Sequence, residues 1–576
     1  MERLERKRVN GHDYYYYSKW AKVNGKCRRV WQKYLGRLED LVQAAQGGGP
    51  APQYAEIFQW GLSQALWNEC SRAEVIAHVD RECPKRSQGL STGQYLAIAA
   101  LNRAIRPESK RSMWGWFSQT TLLRHMPQAT VDRLSSQQFW NHMDRISETL
   151  CGVIWRNIVE GVLKREDVSL ESICYDGTNF YTFIDTFNAR CDLPRRGKNK
   201  QGRANLRQVS YALFCCEDGQ LPLFYDVYEG NRNDAKQFPR MLQAFHAFLK
   251  EVTGRPAPLP ETTIIFDKGN NSRDNFELVD ELNLKFVGSV KLDEHKDLAG
   301  IPNDDPRFVA CGNARLERTK AFRVRKTVYG QERTVVVTWN QNLFDAQWQT
   351  VQNDLAKALQ QLSALSQRLE DRRTGIVRGG QAPTRQRVEK QCREALRRQH
   401  LKPLLRWTID MDENDLPRLK YQVDTKALDR LANTYLGKNI LITNRDEWSA
   451  ERIILAYRSQ FLIEDVFKEM KDRRSGTWWP LNHWTDSKIR VHALYCTVAT
   501  LLRGLLLRRV RQQGIDLSMK RLLRELESIR EVVNVYPRKR GQRTPRQQTV
   551  LTRTSDTQDR LLSILALQRP VERLLG

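Results

Sequence analysis

The 576-residue chain is too long for one compact core, and its length alone suggests about three to four domains. A hydrophobic fraction of 40%, with 15 Trp and 19 Phe, excludes wholesale disorder. Lys and Arg number 94 against 67 Asp and Glu, and the resulting +27 runs along the whole chain, which favours a long polyanionic partner over a merely basic surface. The cysteine count of 11 is odd, no CxxC pair occurs, and Cys215 and Cys216 are adjacent, so a disulfide framework is not expected and a reducing cytosol fits. No apolar run reaches membrane-spanning length, and Met1 to Asn10 resembles no signal peptide. A soluble cytoplasmic chain without a membrane partner is expected.

In chain order, residues 1–45 read as a basic β-hairpin: strands from Tyr14 to Lys22 and from Lys26 to Leu35, joined by Asn24-Gly25. Aromatic and basic residues alternate there, a pattern that suits DNA contact or any small sheet. Gln46 to Pro52 is a linker by composition. Residues 54–165 are expected to be a helical DNA-binding domain. Its apolar residues recur at helical spacing in Ile57 to Trp67, Gln94 to Ile105 and Phe139 to Leu163, with a capping box at Ser135 and Gln138. Arg103, Arg106, Lys110 and Arg111 are its candidate phosphate ligands; a plain helical scaffold is the alternative.

At Ser169 the period changes to strands. Ser172 to Tyr175, Tyr181 to Thr186, Val209 to Cys216 and Leu221 to Tyr228 are followed by a helix from Asp234 to Leu249. A short strand, Thr262 to Phe266, ends in Asp267; a helix from Ser272 to Leu282 and a strand from Lys285 to Lys291 follow. This order predicts an α/β, ribonuclease-H-like catalytic layer whose first part spans 169–292. A mixed, β-rich insertion over 293–447 interrupts it, with a hairpin from Phe322 to Trp339, a polar helix from Asp345 to Arg372, a basic helix from Thr384 to His400 and two further strands. The second catalytic part is expected over 448–513, with an apolar helix from Ser487 to Arg511, and a C-terminal region over 514–576 carries the basic loop Arg538 to Arg546.

Two-metal phosphoryl chemistry needs oxygen ligands converging from separate rigid elements. Asp176 and Asp267 each follow a short strand, where a buried carboxylate is desolvated unless a cation or donor meets it. Either alone also reads as a turn-former. A third acid, Glu464, lies midway between Tyr457 and Lys471, each seven residues away, so one helix would place all three on one face. A solvated amphipathic face explains the same spacing.

The Tyr457–Glu464–Lys471 pattern resembles the Y-R-E-K signature of bacterial insertion-sequence DDE transposases, the branch with a β-rich insertion before the catalytic Glu. Gln460 stands where that family has Arg, with Arg458 nearby. Tyr175-Asp-Gly-Thr178, Glu229-Gly-Asn231 with Asp234, Phe266-Asp-Lys-Gly269 and Leu441-Ile-Thr-Asn444 are similar to family motifs in the same order, from about Ser169 to Leu506. The resemblance implies that Asp176, Asp267 and Glu464 hold two Mg²⁺ ions, with Mn²⁺ accepted, for DNA cleavage and strand transfer. It implies DNA contacts from Lys471, Tyr457 and Arg458, and base stacking by Tyr435, with Trp407 and Trp448 as alternates. It further implies double-stranded DNA as partner (transposon ends and target), a homodimer on DNA, and a nucleoid-associated protein of the bacterial cytosol. A metal-dependent nuclease that never joins strands and a transposase-derived DNA-binding regulator are the other readings. His483 and His492 are either phosphate-facing or structural; Asp185 and Asp192 are weaker substitutes for Asp176; and Arg195 to Lys200 is a DNA-contacting or solvated basic loop.

Overall fold

The computed structural model describes residues 1–23, 25–45, 51–85, 89–198, 202–203, 205–256, 259–538 and 544–569. Four expectations fall partly outside them: Asn24 of the hairpin turn, most of the Gln46 to Pro52 linker, the end of the loop Arg195 to Lys200, and the middle of the loop Arg538 to Arg546. Chain contacts divide into two compact units. One comprises Met1–Trp67, Gly115–Pro127 and Arg509–Gly576; the other comprises Asn68–Trp114 and Gln128–Arg508. Residues 54–165, expected as one helical domain, are shared between them.

In the first unit, β1 (Glu2–Val9), β2 (His12–Val23) and β3 (Lys26–Gly36) form a three-stranded antiparallel sheet, one strand more than the expected hairpin. The chain from Tyr54 to Gln59 is not helical as its spacing suggested. It is a strand, β4, hydrogen-bonded in register from Tyr54↔Val535 to Gln59↔Arg530, and helix begins only at Gly61. A Cβ at Gly61 would meet the Leu526 carbonyl at 2.5 Å, so only glycine lets that helix start there.

In the second unit, Thr92–Ile105 is an almost wholly buried helix, capped by Ser91 and Gln94 in a reciprocal box that the sequence reading missed. At Ser135 the side chain accepts from the Gln138 N–H, but the helix it caps ends at Met143, and a second helix, Glu148–Arg165, follows. Arg103 and Lys110 are not phosphate ligands: both are buried. Arg103 donates to the Pro480 carbonyl at 2.9 Å, and the Lys110 Nζ lies 4.2 Å from the Tyr495 ring centroid. Arg106 and Arg111 are exposed.

The remaining strands are β5 (Ser172–Tyr181), β6 (Arg195–Arg196), β7 (Arg207–Cys216), β8 (Pro222–Glu229), β9 (Thr263–Ile265), β10 (Lys285–Val290), β11 (Val309–Ala310), β12 (Thr319–Val328), β13 (Gln331–Asn340), β14 (Leu405–Met411), β15 (Pro417–Val423) and β16 (Lys438–Thr443). A ten-stranded mixed sheet runs β11-β12-β13-β16-β10-β9-β5-β7-β6, with β8 on β7. The expected strand from Tyr181 to Thr186 does not form; β5 continues through Asp176 to Tyr181 instead. The hairpin of the insertion is not a separate lobe but extends this sheet, β13 pairing with β16 and β16 with β10. What leaves the sheet runs from Asn340 to Gly437, whose carbonyl accepts the Asn340 N–H at 2.9 Å. It has its own core, built on Leu362, Leu365, Leu401, Leu404 and Leu419 beneath the helix Gln341–Arg373 and the β14–β15 hairpin. In the first unit β17 (Arg530–Val535) lies between β18 (Gln547–Leu551) and β4.

Strand alternation sends successive side chains to opposite faces of the ten-stranded sheet. One face carries Tyr175, Phe214, Phe224 and Phe266 against the helix Asp234–Thr253, with Phe214 and Phe245 stacked at 4.0 Å. On the other, Tyr211 hydrogen-bonds Thr497 at 2.9 Å and Phe180 stacks on Trp478 at 3.9 Å. The helix Asp486–Gln512, apolar enough to cross a membrane, is a core helix with 94% of its apolar window buried.

Candidate active site

The register of two parallel strands brings the first two acids level. β5 pairs with β9 through Ser172↔Thr263, Ile173↔Ile264 and Cys174↔Ile265, and Asp176 and Asp267 each stand two residues beyond the last rung. Adjacent strands run about 4.8 Å apart, so this places two carboxylate-bearing positions side by side. Asp267 lies past the end of its strand, as expected. Asp176 does not: it is mid-strand, paired with Leu213 of β7. Both are half-buried.

The face to which Asp176 points follows from its neighbours. Cys174, Asp176, Thr178 and Phe180 alternate with Tyr175, which packs into the aromatic core on the other face. Over the Asp176 face lie two short helices, Ala450–Arg458 and Phe461–Lys471. The single helix expected to carry Tyr457, Glu464 and Lys471 is interrupted at Ser459 and Gln460, so Tyr457 and Glu464 belong to different helices and seven-residue spacing does not align them. Alignment comes from the sheet instead. The Ser459 Oγ lies 3.6 Å from Cys174 Sγ, and the Lys471 Nζ donates to Thr178 Oγ1, so the second helix is anchored to the same face of β5 on either side of Asp176. Glu464 lies on it between those anchors and is exposed.

Tyr457 joins the parts. Its hydroxyl hydrogen-bonds Ser289 Oγ at 2.7 Å and donates to Asp267 Oδ1 at 3.2 Å. Burial, reinforced by the charges of Asp267 and Glu464, pushes the phenol up from its usual 10.0 despite the Ser289 bond, so it stays a donor at neutral pH. Ser289 was missed in the sequence; its signal is a lone hydroxyl near the end of the apolar strand Lys285-Phe-Val-Gly-Ser-Val290. Thr178, the acceptor for Lys471, is the last residue of the Tyr175-Asp-Gly-Thr178 motif. Lys471 also lies 5.6 Å from the Phe180 ring centroid.

Other expected DNA ligands are placed less openly. Arg458 donates to the Arg315 carbonyl at 2.9 Å and to Thr319 Oγ1 at 3.0 Å, which ties its helix to the start of β12. Gln460 is buried. Tyr435 ends a π-helical turn, Leu431–Tyr435, and is half-buried. Trp407 packs on the core of the segment 341–437, and Trp448 is buried under the guanidinium of Arg452 at 4.2 Å, so neither presents a free ring face. His483 and His492 are structural: both are buried, their ring nitrogens 3.1 Å apart, and His492 hydrogen-bonds the Trp478 carbonyl at 2.8 Å. Burial, with Lys110 and Arg103 nearby, drives both far below the usual imidazole range and keeps them neutral.

Asp176, Asp267 and Glu464 are oxygen donors carried on three separate elements, and oxygen is the donor that hard divalent cations take. Among the described residues no group of three or more His, Cys, Asp or Glu stands close enough together to hold a metal ion. The Asp267 carboxylate is instead met by Tyr457, and Asp176 Oδ1 accepts the Gly177 N–H at 2.8 Å.

The family described as Transposase DDE domain matches residues 173–501, more than half of the chain and all of the elements just described. The chain belongs to the DDE transposase family. Membership brings nuclease and transesterase chemistry of the general kind, and divalent-metal dependence, for DNA transposition. No curated protein matches the sequence. Among solved structures, a piggyBac transposase synaptic complex with hairpin DNA is 10% identical, covering 81% of this chain and 78% of that one at a TM-score of 0.35. A Mos1 transposase paired-end complex with the left transposon end is 12% identical, covering 35% and 60% at 0.15. Both scores lie below the range that implies a shared overall fold.

Proposed function

We propose that this DDE transposase serves an insertion sequence of the Y-R-E-K branch, binding terminal inverted repeats as a homodimer and both cutting and joining DNA with Asp176, Asp267 and Glu464. The observation that carries the reading is the common register of Asp176 and Asp267 on adjacent parallel strands, with the helix of Glu464 anchored across the same face. The three acids would hold two divalent cations, Mg²⁺ with Mn²⁺ accepted. Such ions, when bound, supply an activated water or 3′-hydroxyl and charge stabilisation at the leaving oxygen. The chain's own groups do the rest. Tyr457, remaining protonated, orients the Asp267 carboxylate with its one hydroxyl proton, and would donate to a backbone phosphate only in exchange for that bond. Lys471, held at Thr178, offers a cation to a phosphate beside Asp176. Glu464, exposed, is reached by DNA without rearrangement of the sheet.

The test is cleavage and joining of a duplex carrying the element's own terminal repeat, with Mg²⁺ or Mn²⁺. Asp176→Ala, Asp267→Ala and Glu464→Ala should each abolish both steps and leave end binding nearly intact. Activity surviving in any one variant removes that acid from the site. Cleavage without joining by the unaltered protein would make it a nuclease, and end binding with no chemistry would leave a regulator.

A further inference from the structure

We infer that one face of the N-terminal sheet, the face carrying Arg6, Arg8, Tyr17, Trp31 and Lys33, docks on the sugar–phosphate backbone of duplex DNA. The inference rests on the transposase reading but concerns a surface that needs none of the catalytic acids.

The sheet β1–β3 has too few apolar side chains to make a core, and its two faces differ. The register pairs Glu5 with Tyr16, Ser18 with Arg3 and Gln32, and Tyr16 with Tyr34, so these share a face. There Ser18 is wholly buried, and Glu5 accepts from Trp20 Nε1 at 2.7 Å and Gln32 Nε2 at 3.2 Å. Arg3 lies 4.5 Å from the Trp20 ring and Lys7 lies 4.9 Å from the Tyr16 ring. The polar groups of that face satisfy one another.

The opposite face is open. It presents Leu4, Arg6, Arg8, Tyr17, Lys19, Trp31 and Lys33, all exposed. Its ion pairs are loose or peripheral: Arg6 is 3.6 Å from Asp13, and Lys19 is 3.2 Å from Glu2. Trp31 and Leu4 are about half exposed at 49% and 56%, an apolar surface that a solitary face does not bury.

Charge selects the occupant. Residues 2–36 hold ten Lys or Arg against three Asp or Glu, which disfavours a cationic or apolar partner and suits a polyanion. Geometry selects the duplex over a single strand. Tyr17 and Trp31 meet edge to face at 82°, and the Tyr17 hydroxyl is bonded to Glu2 at 2.5 Å, so the two rings are set crosswise rather than as the series of parallel platforms on which successive unpaired bases stack. Strands of 8 to 12 residues reach about 26–40 Å, close to one turn of B-DNA at roughly 34 Å. Arg6, Arg8 and Lys33 would then meet phosphates along a single groove.

The full-length protein, without divalent metal, is titrated onto a labelled duplex and onto its single strand across a salt series, read by fluorescence anisotropy. Replacing Arg6, Arg8 and Lys33 together with Gln should weaken duplex binding about 10- to 1,000-fold at low salt. The slope of log affinity against log salt should fall by about 2.7, or 0.9 per lost phosphate contact. Lys7→Gln, on the satisfied face, should change neither. These exposed substitutions should leave the fold intact by circular dichroism. With no divalent metal present the titration reads binding alone, which separates this inference from the catalytic reading, which fails only through cleavage. An unchanged slope in the triple variant, or an equal or greater loss on single-stranded DNA, would overturn the assignment to duplex.

Discussion

At the scale of residues, the Tyr457 hydroxyl is the joint of the site, shared between Ser289 and Asp267. Removing it leaves Asp267 without its donor while keeping the ring's packing. A hydrogen bond to a charged group contributes about 1.5–3 kcal/mol, which corresponds to roughly 10- to 100-fold in rate. Tyr457→Phe should therefore lower the single-turnover cleavage rate by that factor at saturating Mg²⁺ and DNA; a rate within twofold of the unaltered chain would exclude an orienting role. The motif residues around this joint were legible because polar side chains interrupt apolar strands there: Asp176 and Thr178 in β5, Asp267 after β9. Ser289 was not, because one hydroxyl in a strand is ordinary until a partner from 168 residues away meets it. Arg103 and Lys110 misled for a related reason. A sequence shows a cation's charge but not the carbonyls and rings that bury it.

At the scale of elements, local periodicity identified the helices Gln341–Arg373 and Asp486–Gln512 to within a few residues, because each keeps a long apolar stripe. It failed at β4, whose Ile57 and Phe58 fit either period. What makes that segment a strand is pairing with β17, more than 470 residues on. It failed again at Ser459, where the Ser459 hydroxyl bonds back to the Ala456 carbonyl at 2.7 Å and ends the helix. The insertion was legible as an interruption, but its hairpin belongs to the sheet, since the apolar run from Thr334 to Val337 of β13 pairs with β16. Lys438 stands where the chain re-enters. Its Nζ donates to the Ala299 carbonyl at 3.0 Å and to Ile301, and burial lowers its pKa from 10.5 to about 8. Below pH 8 the lysine is charged in the folded and unfolded chain alike, and the fold bears the whole cost of burying the charge. Between pH 8 and 10.5 the unfolded chain binds the extra proton, so stability rises with pH until the cost vanishes. Denaturant titrations of the unaltered chain and of Lys438→Met should give a stability difference that shifts in favour of lysine across that window and is flat on either side. A difference independent of pH would show that the ammonium is not desolvated.

At the scale of the whole molecule, the excess charge of +27 and the DDE family match agree on a nucleic-acid enzyme, and the ten-stranded sheet explains how distant residues cooperate. Its parallel centre, β5-β9-β10, sets two acids level. The long helices of the two faces fix the sheet between them, and the chain returns after the insertion with the helix of Glu464 anchored on the face of Asp176. On the proposed reading, metal and DNA draw the three carboxylates together. Anomalous diffraction from crystals of the protein bound to a transposon-end duplex, grown with Mn²⁺, tests this directly. Manganese peaks are expected within bonding distance of carboxylate oxygens from Asp176, Asp267 and Glu464 together. Peaks that engage other side chains, or an occupied site that omits any one of the three acids, would contradict it.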